Sequence, residues 1–257
     1  MCKDCGCGIT DEHDHSHHHT HQNPALNETH TVEVLENILS ANDEQARHNR
    51  EHLEACGVVG INLMSSPGAG KTTLLEKTIE MLGSELRIGV IEGDLETERD
   101  AERIRARGVP AHQITTGQAC HLDAFMVHDG LHHLPLDELD VVFVENVGNL
   151  VCPAAYDVGT HLNVVLLSVP EGDDKPAKYP VIFRAANLVL LTKTDLLPYL
   201  PFDRSRFDRF LSDINPGADF IALSAVNGEG LDEWLQWLKL KISLRQKART
   251  QQTHSHE

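Results

Sequence analysis

Three sets of residues in this sequence have the types and spacing that chemistry needs. The first is the stretch Ser65-Ser66-Pro67-Gly68-Ala69-Gly70-Lys71-Thr72-Thr73. An apolar run over 58–64 precedes it and reads as a buried strand; residues 74–82 follow it and read as a helix. Strand, glycine-bearing loop, Lys-Thr and helix form a phosphate-binding loop, because backbone N–H groups and the helix N-terminus converge on one point. Gly68, Ala69, Gly70, Lys71, Thr72 and Thr73 are therefore expected to hold a polyphosphate. Lys71 would reach the β/γ-phosphates, and the Thr72 hydroxyl would bind Mg²⁺. Ser65 stands where such loops usually begin with glycine, yet Ser66-Pro67-Gly68 can still make the tight turn.

The second set consists of acids at the ends of apolar runs. The run over 86–91 ends in Glu92-Gly93-Asp94. Asp94 is expected in the Mg²⁺ shell or as the N-cap of a helix over 96–107, two roles that can coexist. It is also the first candidate for orienting an attacking water. Residues 95–100 have the character of a nucleotide-sensing switch. The run over 139–144 ends in Glu145-Asn146-Val147-Gly148, where Glu145 would hold Mg²⁺ through water and the Gly148 N–H would sense a γ-phosphate. The run over 187–191 ends in Thr192-Lys193-Thr194-Asp195. A carboxylate at Asp195 can accept hydrogen bonds from guanine N1–H and N2–H₂. Adenine offers no such donor pair, so it would leave the acid unpaired. The Lys193 stem can lie over the ring; residues 219–225 read as the final strand, at whose end stand Ser224 and the Ala225 N–H, which could donate to guanine O6. Thr192 occupies a place where Asn is more usual.

The third set is built from cysteines and histidines. Cys2, Cys5 and Cys7, spaced by glycine, can fold around one Zn²⁺, Ni²⁺ or Cu⁺, with the α-amino group or a nearby histidine as fourth donor. His13, His15, His17, His18, His19 and His21 form a low-complexity tract suited to capacity for nickel or similar ions. Cys120-His121, at the start of a helix, and Cys152-Pro153, just past the Glu145 element, add three further donors. A metal on Cys152 would be linked to the nucleotide state through a few peptide bonds.

Strands alternating with helices must position these groups, so the fold is α/β: a P-loop NTPase with a mostly parallel, doubly wound sheet and a flexible metal-binding N-terminal tail. Its ligands belong at the carboxyl ends of the strands, where Lys71, Asp94, Glu145, Asp195 and Ser224 all fall. The organisation expected is a Cys/His-rich tail over 1–30, a helical segment over 31–56, a GTPase domain over 57–245 and a polar, frayed tail over 246–257. The Pro-rich stretch 170–180 reads as a long charged loop, either solvated or suited to a partner contact. A formal charge of −17 over 257 residues argues against nucleic acid as a partner. No run approaches the ~20 apolar residues of a membrane span. A cytoplasmic location with reduced thiols is expected.

The phosphate loop, Glu92-Gly93-Asp94, Cys120-His121, the stretch from Glu145 to Pro153, the loop from Glu171 to Pro180 and Thr192-Lys193-Thr194-Asp195 together resemble the HypB family of hydrogenase nickel-incorporation proteins. These are metal-regulated P-loop GTPases of the hydrogenase and urease accessory group. Cys2, Cys5 and Cys7 resemble the N-terminal nickel motif of some members, and the histidine tract the nickel-storing extension of others. The resemblance implies a GTPase that converts GTP to GDP and phosphate with Mg²⁺. It implies Ni²⁺ or Zn²⁺ binding and delivery of Ni²⁺ to the [NiFe]-hydrogenase large subunit with a HypA-type metallochaperone. It also implies a homodimer promoted by GTP or metal. Three rival readings remain on the residues alone: a nickel buffer with an incidental GTPase, a related chaperone for urease or a cobalamin enzyme, and a small-molecule kinase. The last lacks any visible acceptor site.

Overall fold

The structure, a computed structural model, describes residues 28–94, 99–117 and 119–254. Cys2, Cys5, Cys7, the six histidines His13 to His21 and residues 95–98 lie outside the described residues. Internal contacts divide the chain into Met1–Asn37 and Ile38–Glu257, and the sheet belongs to the second.

The strands are β1 (Val59–Ser65), β2 (Ile88–Asp94), β3 (Ala111–Thr115), β4 (Val141–Glu145), β5 (Leu162–Ser168), β6 (Leu188–Thr192) and β7 (Asp219–Ala222). The helices are α1 (Glu28–Cys56), α2 (Lys71–Leu82), α3 (Arg99–Arg105), α4 (Ala124–His132), α5 (Lys175–Lys178), α6 (Pro180–Arg184), α7 (Arg204–Ile214) and α8 (Leu231–His254). The strands form one sheet in the order β3-β2-β4-β1-β5-β6-β7, every pair parallel. Parallel strands need helical crossovers, which cover both faces. Accordingly β1, β4 and β6 are buried along their whole length.

Side-chain alternation assigns the faces. Ile61, Leu63, Phe143, Val164 and Leu190 pack with α2 and α8. Met64, Val165, Leu167 and Val189 pack with α6 and α7. Ile91, Val142 and Val144 pack with Leu53 of α1 and Val127 and Leu131 of α4. Trp234 of α8 is fully buried, and its Nε1–H donates to Thr78 Oγ1 at 2.9 Å, tying α8 to α2. The last helix runs on to His254 instead of ending near 245, through a stretch rich in Arg, Lys and Gln, which are good helix formers. Cys56 is half-buried beside the α1–α4 core.

Two further expectations change. Residues 170–180 are not one long loop: Pro176 and Pro180 sit in the first turns of α5 and α6, where a missing N–H costs nothing. Asp173 is buried there, paired with the Arg206 guanidinium and accepting from the Asp203 N–H. Cys120 and His121 do not start a helix. They lie in a bend, and α4 begins at Ala124, capped by Asp123, whose Oδ1 accepts from the Met126 N–H at 2.8 Å.

Candidate functional site

The loop between β1 and α2 takes the shape its residues require. Gly68 and Gly70 have φ of +74° and +100°, where an L side chain would be strained, and Gly70 caps α2. The serine in place of the first glycine has a use. Ser65 is fully buried, and its Oγ accepts from Lys71 Nζ at 3.0 Å. The Ser66 hydroxyl donates to Glu171, so the loop is also held from the β5 side.

Beside the loop is a cleft of about 440 Å³ lined by Gly68, Lys71, Thr72, Glu92, Asp94, Glu145, Gly148 and Lys193, among others. Register places Glu92 of β2 directly opposite Glu145 of β4, and both are buried. Thr72 Oγ1 donates to Glu145 Oε1 at 3.0 Å, while Lys71 Nζ is 4.0 Å from the same oxygen. Glu92 Oε1 and Glu145 Oε2 have no hydrogen-bonding partner in the protein. Burial raises both carboxyls. For Glu145 the charge of Lys71 and the Thr72 hydroxyl pull the other way. Glu92, buried and facing Glu145, is held well above the ordinary carboxylate range, so of the two it is the stronger holder of a proton. Buried acid oxygens without partners beside a Thr hydroxyl suit a hard, oxygen-seeking divalent cation such as Mg²⁺. Asp94, the last residue of β2, lines the same cleft. Glu92 is the group that the sequence reading passed over. It directly follows the apolar run 86–91 and lies two residues from Asp94, so a strand that continues through Asp94 puts both acids on one face.

The opposite end of the cleft is tied to the loop by hydrogen bonds. Thr192 Oγ1 donates to Ala69 O, and Lys193 Nζ to Gly68 O, both at 2.7 Å. Threonine thus replaces the usual amide with one direct bond to the loop. Lys193 has φ +58°, the one positive value among described non-glycine residues. Ser224, fully buried, donates to Asp195 Oδ1 at 2.6 Å and accepts from the Val226 N–H at 3.2 Å. Ser224 therefore orients the carboxylate. Ala225 follows it, half-buried, and Thr73 is exposed in the first turn of α2.

The third set of residues also comes together. Cys120 Sγ lies 2.9 Å from Cys152 Sγ and 3.9 Å from His121 Nδ1, and all three are half-buried. The hydrogen bond to Cys152 and burial raise the Cys120 thiol, and burial lowers His121, whose ring stacks on Tyr156 at 4.0 Å. Two sulfurs and an imidazole suit a borderline ion such as Zn²⁺ or Ni²⁺ and leave a fourth position open.

This cluster and the phosphate loop share a wall. Gly148 lies so close to the loop that a Cβ there would come within 2.8 Å of Pro67 Cα. Asn146 Oδ1 accepts from the Leu122 N–H at 3.1 Å, and Asn149 Nδ2 donates to Cys120 O at 3.3 Å. The segment from Glu145 to Cys152 thus touches the cleft at one end and the cysteine bend at the other.

Among known proteins, a family model described as CobW/HypB/UreG, nucleotide-binding domain, matches residues 59–222. The chain is 50% identical over 226 residues to the hydrogenase maturation factor HypB of Azotobacter chroococcum mcd 1, covering 88% of this chain and 74% of that protein. Its fold is similar to the crystal structure of HypB from Helicobacter pylori in complex with nickel, with a TM-score of 0.76 and 41% identity over 79% of this chain and 95% of that one. It is also similar to the crystal structure of the hydrogenase maturation factor HypB from Archaeoglobus fulgidus, with a TM-score of 0.75 and 40% identity over 79% and 100% of the two chains.

Proposed function

The chain belongs to the CobW/HypB/UreG family and, within it, to the HypB hydrogenase maturation factors; from that premise we propose that it is a GTPase that hands Ni²⁺ on to the [NiFe]-hydrogenase large subunit, its hydrolysis governed by metal on Cys120, His121 and Cys152. The observation that carries this reading is the segment from Glu145 to Cys152, which presses Gly148 on the phosphate loop and places Cys152 against Cys120. A change at either end must be felt at the other, because both use the same few peptide units.

Gly68, Ala69, Gly70 and Thr73 cradle the phosphates, and Lys71 neutralises charge on the transferred phosphoryl group. Thr72, Glu145 and Asp94 take Mg²⁺, with Glu92 as the neighbouring buried acid. When bound, Mg²⁺ offsets the negative charge that develops on the phosphate oxygens. Asp94 orients the attacking water. Lys193 covers the guanine ring, Asp195 reads its N1–H and N2–H₂, Ser224 fixes that carboxylate, and the Ala225 N–H meets O6. Slow hydrolysis suits a switch.

Three donors per chain leave the cysteine site incomplete, and Val151 next to it is 60% exposed. Both favour a second copy meeting this face across a two-fold axis and completing the coordination. A HypA-type metallochaperone is the expected donor or receiver of the ion, and the cytoplasm the expected location. Among the described residues, no helix is long and apolar enough to cross a membrane. Residues 1–30 form a separate metal-binding region: Cys2, Cys5 and Cys7 take one ion, and His13, His15, His17, His18, His19 and His21 store nickel.

The test is GTP hydrolysis by the full chain and by Cys152→Ala, each titrated with Ni²⁺ and Zn²⁺. The wild-type rate should respond to metal and the variant's response should vanish; an unchanged response would refute the shared-wall reading. Deleting residues 11–21 should lower nickel capacity while hydrogenase maturation persists.

A further inference from the structure

Four histidines on two neighbouring helices have no role in the reading above. His48 and His52 stand one turn apart on α1, and His128 and His132 one turn apart on α4. At that spacing each pair shares one helix face. The faces meet: ring centroids lie 5.3 Å apart for His48–His128 and 5.4 Å for His52–His132. An open cleft between the helices is lined by these four residues and Glu51. We infer that this is a further binding site for a borderline first-row divalent cation, bridging α1 and α4 and separate from Cys120, His121 and Cys152.

The geometry is already partly made. His128 Nε2 and His132 Nε2 are 3.2 Å apart, with their rings perpendicular. Two nitrogens at Zn–N distances of about 2.0–2.1 Å in a tetrahedral shell stand about 3.3 Å apart. His48 and His52 flank that pair, with ring centroids 5.3 Å from His128 and 5.4 Å from His132 respectively. Imidazole donors select Zn²⁺, Ni²⁺ or Cu²⁺ over Mg²⁺ or Ca²⁺.

One buried residue sets the chemistry of His128. Asn49 is fully buried, and its Nδ2 donates to Ala124 O at 2.7 Å and Val158 O at 3.2 Å. The amide orientation is therefore fixed, and Asn49 Oδ1 must accept. It takes bonds from Gln45 Nε2 and from His128 Nδ1, each at 3.0 Å. The proton of neutral His128 then resides on Nδ1, and the Nε2 lone pair is directed toward His132. An outer partner that fixes tautomer and ring orientation in this way is what imidazole ligands of metals ordinarily have. Asn42 holds the same two helices in register, its Oδ1 accepting from the Ala124 N–H at 2.9 Å.

A neighbouring set, His112, Asp129 and His133, also has close ligand atoms. There the two rings are stacked at 4.1 Å and 6° from parallel, so their in-plane lone pairs run side by side and do not converge. In the α1–α4 set, by contrast, two Nε2 atoms already stand at a chelating separation with two further rings beside them.

The test is histidine modification by diethyl pyrocarbonate on the full chain, with and without Zn²⁺, read peptide by peptide so that the histidine tract does not interfere. Zn²⁺ should slow modification of His48, His52, His128 and His132 several-fold, and Mg²⁺ should not. The protection should survive in Cys152→Ala. It should be lost at His48, His52 and His128 in His132→Ala, an exposed position whose loss leaves the Asn49–His128 bond intact. Unchanged reactivity of His48 and His52 with Zn²⁺, protection confined to His112 and His133, or protection that persists in His132→Ala would each overturn the site.

Discussion

The two ends of the nucleotide cleft are built on opposite electrostatic terms. At one end Thr192, Lys193, Asp195 and Ser224 each hold a partner within the protein, and two of them grip the phosphate loop itself. At the other, Glu92 and Glu145 face each other in register, buried, each with an oxygen that nothing satisfies, against the single charge of Lys71. The first end is finished before any ligand arrives. The second is short of positive charge and is completed by what binds there. Rigid, satisfied groups suit recognition of a fixed hydrogen-bonding pattern, whereas an unsatisfied acid pair makes affinity, stability and ionisation depend on a cation.

The largest effect that tests this contrast is Lys71→Ala. If chemistry resides at the unfinished end alone, single-turnover phosphate release should fall by about 10²–10³-fold, the usual cost of losing one charge-stabilising group. The preference for GTP over ATP, measured by competition, should persist. A variant that lost the preference as well would show that the two ends are not separable.

Next in size is Asp195→Asn. Loss of a charged acceptor for two donors should weaken GTP binding by about 2–3 kcal/mol, read as a dissociation constant. The amide also offers a donor where the carboxylate had none, so xanthosine triphosphate, which carries a carbonyl in place of the 2-amino group, should gain. Equal weakening toward both nucleotides would mean that Asp195 supports the loop and does not read the base.

Much of this contrast was legible in the residues. The loop, Glu145, Asp195 and the strand ends that carry them could be placed because central parallel strands are apolar runs with abrupt polar ends. The meeting of Cys120 with Cys152 could be suspected but not measured, since 32 residues separate them and the segments after β3 and β4 join only in the fold, through Asn146 and Asn149. Glu92 was harder. An acid two residues short of a strand end looks like part of the turn, and only pairing with β4 reveals it as buried opposite Glu145. The stretch 170–180 misled because prolines signal loops, yet a proline in a helix's first turn is equally at home. The α1–α4 histidines were invisible as a set: each pair is ordinary on its own helix, and only the packing of two helices joins them.

Glu92→Gln sharpens the comparison from the stability side. Glu92 is raised well above its ordinary 4.5 by burial and by Glu145. Its neutral form therefore supports the fold fully below about pH 4.5, and that support is lost as pH rises through the folded value. Glutamine keeps the neutral shape at every pH. In the presence of a chelator the variant should be more stable than wild type near neutrality, where the wild-type acid is pressed to ionise in a buried site. Its denaturation midpoint should also vary less between about pH 5 and pH 8. With Mg²⁺ and GDP the order should reverse, because a cation favours the ionised acid. Identical pH profiles for the two proteins in chelator would remove the claim that the phosphate end is electrostatically incomplete.

The smallest effect probes one of the two bonds by which the finished end props the unfinished one. Thr192→Val keeps shape and volume but removes the hydroxyl that donates to Ala69 O at 2.7 Å, inside the loop that must cradle the phosphates. The cost to folding should be about 1 kcal/mol, the net value of one buried neutral hydrogen bond. The informative quantity is its distribution. If Thr192 serves the loop's conformation, GDP affinity should fall along with stability, because the freed Ala69 carbonyl loosens the turn between Gly68 and Gly70. If it serves only the core under β6, the denaturation midpoint will drop while GDP binding stays as it was, and the two ends would then be linked through Lys193 and Gly68 alone.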